Sequence, residues 1–483
     1  MNKHLTRYLL AAGLLVASSG TAWAIKASPK PITVKQPDGT TLVIRVHGDE
    51  NFHYITTTDG FLIQRDKDGY FKYVQTDASQ GTRKLTARRA LNADKRSAAD
   101  NQFLSTLRPI RKEADAEWLK SLRGNVQPMT VGQTLPASVR SRKVDAQTGE
   151  AKESEYLVVL VKYADGEFHF TDSDFDAWLN EKGYSKNGGT GSVKDYYRDN
   201  SMGQFVPNFT VVGPYTLDHE RTYYAADLGG TGNDVNPQAL VIEAAQKAKA
   251  DHPEIDFSKF DNDGDGYMDN INVVIGGYSQ ASSGDDKDMW PHSYRLKTSD
   301  EDLSIEIDGI RVNNYSVSAE LVGASGINMD GIGTFTHEFG HILGLKDMYD
   351  TDDYDGGIGI DPGAYSLYAS GSYNNNSRTP AALMTFERLQ MGWLKKEDLH
   401  QLSQAEDVTL PIMTSNTAAY VDARPGLSDD EGYEWYVFEN RQKTGWDSYI
   451  PYHGLLIYHL DYTKSMVNKY WSVNGPNNNA RHR

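Results

Sequence analysis

The sequence has no cysteine in 483 residues, which excludes disulfide bridges, a lipidated N-terminal cysteine and any thiolate able to block a metal site. Positive charge is scarce as well. Lys and Arg number 49 against 66 Asp and Glu, a formal charge of −17 that argues against a nucleic-acid partner. Long apolar runs are also missing, so no segment reads as a transmembrane helix. The one apolar stretch near the start, LLAAGLLVASSG, follows Lys3 and Arg7 and is too short to span a bilayer. It ends near Ala22-Trp23-Ala24, a small-residue cleavage pattern, so residues 1–24 read as a signal peptide and the chain as exported, extracellular or periplasmic.

Chemistry concentrates between Gly333 and Asp355, in GTFTHEFGHILGLKDMYDTDDYD. Ile332, Phe335, Phe339, Ile342 and Leu343 recur at three- and four-residue spacing, which predicts a helix with one buried side. His337 and His341, one turn apart, then stack on one face and offer two imidazole nitrogens to one zinc ion. Glu338 is placed to act as general base, because zinc brings a water molecule's pKa to about 7 and a neighbouring carboxylate removes its proton. Gly344 is suited to end the helix with positive φ, returning Asp347 toward the metal as third protein ligand. A rival third ligand is Glu387 in TPAALMTFERLQMGW, and the bland alternative is a buried helix with a chance HExxH.

The segment HEFGHILGLKDMYD resembles the immune inhibitor A-type metallopeptidases of bacteria, a metzincin-like group with aspartate as third zinc ligand. The resemblance implies zinc on His337, His341 and Asp347, Glu338 as catalytic base, and protein or peptide substrates. PDGT and HGDE, similar to stretches in pro-regions of that group, imply a propeptide in which Asp49 or Glu50 reaches toward the zinc. The main departure is GAYSLYASGSYN, which puts Tyr368 where the family's methionine turn has methionine. An aromatic can fill that volume at some cost in fit. Tyr365, Tyr368 and Tyr373 also offer hydroxyls to an oxyanion. Tyr368, with Ser366 nearby, keeps a second reading open, a catalytically degenerate secreted binding protein or scaffold on the same fold.

Along the chain, residues 25–75 alternate apolar and polar, with Asp-Gly turns at 38, 59 and 68, as expected of a small antiparallel β module. His47 and His53 within it read as packed or exposed polar residues. Residues 76–153 become polar and basic and read as a solvated helical linker, with processing sites expected near Arg142. From 154 to 483 the chain reads as the catalytic domain, beginning with the buried strand YLVVLVKY and alternating helices with strands. The fold class expected is α+β: a metzincin-like peptidase domain, mixed sheet plus zinc-binding helix, after a β-rich pro-domain. Its C-terminal end at NNNARHR reads as the truncation of a longer chain.

Two further elements stand out. Asp261, Asp263, Asp265 and Asp269 recur at alternate positions around glycines, spacing that suits Ca2+, although Asn272 replaces the final glutamate of an EF-hand. The acidic run Asp350, Asp352, Asp353 and Asp355 reads as a solvated loop with partial calcium occupancy. Trp290-Pro291-His292 matches an element upstream of the zinc helix in similar proteins, and local packing is its expected role. Glu439, His459 and Asp461 read as satisfied polar residues of a sheet.

Overall fold

The computed structural model describes residues 25–110, 153–349 and 360–462, apart from 51, 78–81, 228–232, 299–300, 403–406, 408, 414–419 and 424–432. The expected signal peptide at residues 1–24, the basic sites from Arg111 to Lys143, the acidic run after Tyr349 and the C-terminal NNNARHR lie outside the described residues.

The half expected to be catalytic is built on β7 (Ser154–Lys162), and the reason is its sequence. Tyr156, Val158 and Leu160 point into one apolar cluster while Leu157, Val159 and Val161 point into another. A strand apolar on both faces must be covered on both faces, which requires helices above and below it. On one side stand α2 (Asp172–Asn180), α3 (Val193–Asn200) and α5 (Ile332–Leu343). On the other stands α4 (Pro237–Asp251), through Leu240, Val241, Ala244, Ala245 and Ala248. Ser192 and Thr171 cap α3 and α2 in reciprocal capping boxes with Asp195 and Asp174.

The sheet runs β10-β13-β9-β7-β8, in which β8 (Pro207–Thr216), β9 (Ile271–Tyr278) and β13 (Asn314–Leu321) run parallel to β7. Only β10 (His292–Arg295), at the edge beside α5, is antiparallel to its partner. An aromatic layer fixes α5 on this sheet. Phe339 meets Tyr156 edge-on at 4.7 Å and Tyr197 at 5.4 Å, and Phe335 meets Trp178 at 5.5 Å. Each fully buried ring is worth about 1.5–3 kcal/mol, enough to hold a polar helix face inside the protein.

The N-terminal module is a six-stranded antiparallel meander, β1 (Ile32–Lys35), β2 (Thr41–Gly48), β3 (His53–Thr57), β4 (Leu62–Arg65), β5 (Phe71–Asp77) and β6 (Thr82–Arg89). The boundary expected at residue 75 falls inside β5, and the segment after it, expected to be a solvated helical linker, continues the sheet as β6. Its basic residues stay partly in solvent while making contacts: the Arg89 guanidinium lies 3.5 Å over the Tyr70 ring, and Arg88 pairs with Asp100 at 2.7 Å. The helical part of that expectation is confined, among the described residues, to a 3-10 turn (Ala93–Lys95) and α1 (Ala98–Leu104), capped by Ser97.

After α5 come α6 (Thr385–Met391) and a four-stranded sheet, β14 (His400–Gln401), β15 (Tyr420–Ala423), β16 (Tyr433–Arg441) and β17 (Gly454–Tyr462). The short pair β11 (Ile305–Ile307) and β12 (Ile310–Val312) precedes β13. The β module and the catalytic half share one apolar cluster, in which Ile25, Val34, Ile44 and Phe71 pack with Ala281, Trp290 and Tyr373.

Candidate active site

Helix α5 ends where the glycine predicts. Gly344 has φ 107°, a left-handed conformation that turns the chain back and brings Asp347 beneath the helix. His337 Nε2 lies 3.0 Å from His341 Nε2, and Asp347 Oδ1 lies 3.1 and 3.6 Å from the two nitrogens. The opposite nitrogens are both engaged by main-chain carbonyls, Nδ1 of His337 with Leu367 O and Nδ1 of His341 with Leu345 O, each at 2.9 Å. A nitrogen facing a carbonyl must carry the proton, so both Nε2 atoms present lone pairs. Two lone pairs and a carboxylate oxygen converging in a buried space repel one another unless a cation sits among them. The donor set, two imidazoles and one carboxylate, suits zinc.

Glu338 is fully buried one residue from the first histidine. Burial, then the charge of Asp347, pushes its carboxyl well above the usual range. Asp347 itself is pushed up to about 6, chiefly by burial. Ser293 on β10 donates to the Glu338 carbonyl at 2.5 Å, which ties the edge strand to the helix. The Glu338 side chain is occupied: the main-chain N–H of Ile25 donates to Oε1 at 2.8 Å. From there the N-terminal segment runs through the site. Trp290 Nε1 donates to Ile25 O at 2.9 Å, Tyr373 Oη to Lys26 O at 2.5 Å, and Ser28 N to Ala281 O at 3.0 Å. Asp49 and Glu50 of the β module are also buried here, near enough that Asp49, Asp347 and Glu338 add to the burial that raises Glu50. Neither belongs to the group formed by His337, His341 and Asp347.

Tyr368 lies under the two histidines, its ring 4.9 Å from that of His337 and 5.2 Å from that of His341. Its neighbour Leu367 supplies the carbonyl that orients His337. Glu387 is held elsewhere. It accepts from Ser366 Oγ and, at 2.7 Å, from Met384 N at the start of α6, so the structure brings Asp347 rather than Glu387 to the histidines. Glu439 accepts from Thr385 N at 2.7 Å and Tyr458 Oη at 2.9 Å, and Arg441 bridges it to Asp447. His459 pairs with Glu434 at 2.9 Å.

Asp261, Asp263 and Asp265 gather their carboxylates on one loop, whereas Asp269 accepts from Asn262 Nδ2 at 2.8 Å and is not in that group. Sequence reasoning missed the residues along the N-terminal segment. Trp290 packs as expected and in addition donates to Ile25 O, and His53, packed as expected, stacks on Trp290 at 4.7 Å and bonds Asp227 at 3.3 Å across the junction between the β module and the rest of the chain. His292 packs as expected, bonded to Trp290 O and Tyr315 Oη, and burial lowers it to about 4. Of the three tyrosines considered for an oxyanion, Tyr365 donates to Tyr452 O, Tyr368 is beneath the histidines, and Tyr373 holds the segment.

A three-layer fold with a helix-borne HExxH and an aspartate returned by a glycine turn defines a class of single-metal site proteins. The chain belongs to the immune inhibitor A peptidase M6 family, whose catalytic-domain model matches residues 145–397. It is 28% identical over 284 residues to immune inhibitor A of Bacillus thuringiensis subsp. alesti, covering 50% of this chain and 39% of that protein. Over 222 residues it is 25% identical to the pre-pro-metalloprotease PrtV of Vibrio cholerae serotype O1 (strain M66-2), covering 41% of this chain and 23% of that protein. The alignments thus span less than half the length of these curated relatives.

Proposed function

We propose that the chain is a secreted zinc-dependent endopeptidase made as a zymogen. The observation that carries this reading is the convergence of His337 Nε2, His341 Nε2 and Asp347 Oδ1 beside a buried Glu338. These three residues would hold the metal. Zinc, when bound, supplies Lewis acidity, bringing a water's pKa to about 7 and polarising a carbonyl. Glu338, buried beside the first ligand, takes the proton from the attacking water and delivers it to the departing amine. The amide bond breaks, the carbonyl carbon gains the water oxygen, and the amine gains the proton. Leu367 O and Leu345 O keep both imidazoles in the tautomer that leaves Nε2 for the metal.

Latency follows from the N-terminal segment, since Ile25 engages the proposed base and residues 25–28 fill the space a substrate needs. The metzincin-like architecture, the pro-domain role of the β module and export through residues 1–24 are part of the same reading. The name pre-pro-metalloprotease carried by one relative supports it. Ca2+ on Asp261, Asp263 and Asp265 is the structural cofactor proposed, without Asp269 as a ligand. The scaffold alternative draws on Tyr368 and Ser366 alone, and Ser366 donates to Glu387 away from the histidines. The test is zinc content together with digestion of an unfolded protein by the processed enzyme and its Glu338→Gln form. One zinc in each and cleavage by the unmutated form alone are expected. Zinc without cleavage would favour the scaffold, and absence of zinc would remove the ligand assignment. Loss of a calcium-dependent rise in Tm in Asp261→Asn checks the second ion.

A further inference from the structure

In amide hydrolysis the proton held by the general base goes to the nitrogen of the departing amine, so a peptide nitrogen facing that carboxylate marks the leaving side of the cut. Ile25 N, 2.8 Å from Glu338 Oε1, occupies that place. Residues 25 to 28 therefore lie where the residues after a scissile bond would lie, in a chain direction fixed by four main-chain contacts. Trp290 Nε1 grips the first carbonyl and Tyr373 Oη the second, while Ala281 O receives the fourth amide. All three come from the catalytic half and would remain when the segment leaves. The third amide is held by Gly48 O, from the β module.

The side chains are sorted as well. Ile25 is completely buried in the cluster to which the catalytic half contributes Ala281, Trp290 and Tyr373. Lys26 points the other way, its Nζ 3.2 Å from Asp361 Oδ2 and 5.4 Å from the centre of the Tyr349 ring. A carboxylate beside an aromatic face receives an ammonium or guanidinium and repels an acid.

We propose that this groove selects its substrates, requiring an aliphatic residue directly after the cut and favouring lysine or arginine next. Trp290 and Tyr373 are its main-chain anchors and Asp361 is its selector. The inference rests on the endopeptidase reading and adds the substrate class to it.

Two measurements on the processed, zinc-loaded enzyme separate the two claims. The first sequences the new N-termini produced from an unfolded protein. Ile, Val or Leu at the first position and Lys or Arg at the second should each be enriched at least fivefold over composition, and Asp361→Lys should reverse the second preference to Asp or Glu while leaving the first intact. The second measures calorimetric binding of the tetrapeptides Ile-Lys-Ala-Ser, Asp-Lys-Ala-Ser and Ile-Glu-Ala-Ser, which needs no turnover. The first should bind at least tenfold more tightly than the second and severalfold more tightly than the third, and Trp290→Phe should weaken it about fivefold by removing one hydrogen bond. Cleavage without positional preference overturns the groove assignment and leaves the peptidase reading standing. Selective binding without cleavage does the reverse. Neither binding nor cleavage overturns both.

Discussion

The phenol oxygen of Tyr368 fills the place that a side chain at position 340 would take: a Cβ built on Gly340 would stand 1.6 Å from it. The glycine of HEFGH and the tyrosine beneath it are therefore a matched pair. Gly340→Ala should force ring and helix apart, costing about 1–3 kcal/mol as overpacking does, read as a lower denaturant midpoint. It should also weaken zinc retention, because the same ring supports both histidines. Tyr368→Phe in the Gly340→Ala background should recover part of the loss, since it deletes the nearest atom. An undiminished midpoint in Gly340→Ala would show that the ring moves freely.

Removing the metal should destabilise the fold. With free zinc at 100–1,000 times its Kd, bound metal adds about 2.7–4.1 kcal/mol, so chelation should lower Tm by several degrees. Asp347→Ala should have the lower Tm already and show little further response to chelator, measured by calorimetry.

Ile25→Asp puts a carboxylate into an apolar cluster at 0% exposure, on the residue whose main-chain nitrogen bonds Glu338. A buried charge with no partner is strongly unfavourable. The segment should leave, and the unprocessed chain should cleave an unfolded substrate that the parent chain leaves intact. Equal latency in both would place the block elsewhere.

Glu387 gives a pH signature. Burial, partly offset by the bonds from Ser366 and Met384, pushes its carboxyl from 4.5 up to about 7. The folded state thus binds the proton more tightly than the unfolded chain. The resulting stabilisation is complete below about pH 4.5 and disappears as pH rises through about 7. Glu387→Gln, which stays neutral, should gain stability relative to the parent across that window by on the order of 1–3 kcal/mol. Urea midpoints at pH 4.5 and 7.5 measure the difference; an unchanged gap would mean that Glu387 is ionised in the fold.

The helix Ile332–Leu343 was legible because its period, its histidine spacing and the glycine after it all agree, and all act within one short segment. The buried strand at Tyr156 was legible for the same local reason. β6 was not, because TRKLTARR reads as solvated charge and its basic side chains do stay at the surface, so that only its backbone pairing with β5, Val74 with Leu85 and Gln75 with Lys84, makes it a strand. Glu387 was a reasonable rival ligand by residue type, and only the fold reveals that it closes the first turn of α6. The contact between Ile25 and Glu338 spans 313 positions, so no local pattern announces it. Sheet order is equally silent in sequence, since β10 joins β13 and not the strand before it.

Arg441 on β16 carries its charge at 0% exposure, held by Asp447 and Glu439 and bonded to Ala382 O just before α6. Glu439 in turn receives the Thr385 amide. The family match ends at residue 397, yet these partners lie more than forty residues beyond it. Stripping one member from a buried ionic set costs about 3–5 kcal/mol, so the sheet after α6 is no detachable passenger. A cut or fusion placed between Met391 and Tyr462 would break this set or the β17 strand whose Tyr458 bonds Glu439. The inheritable unit is accordingly longer than the recognisable one.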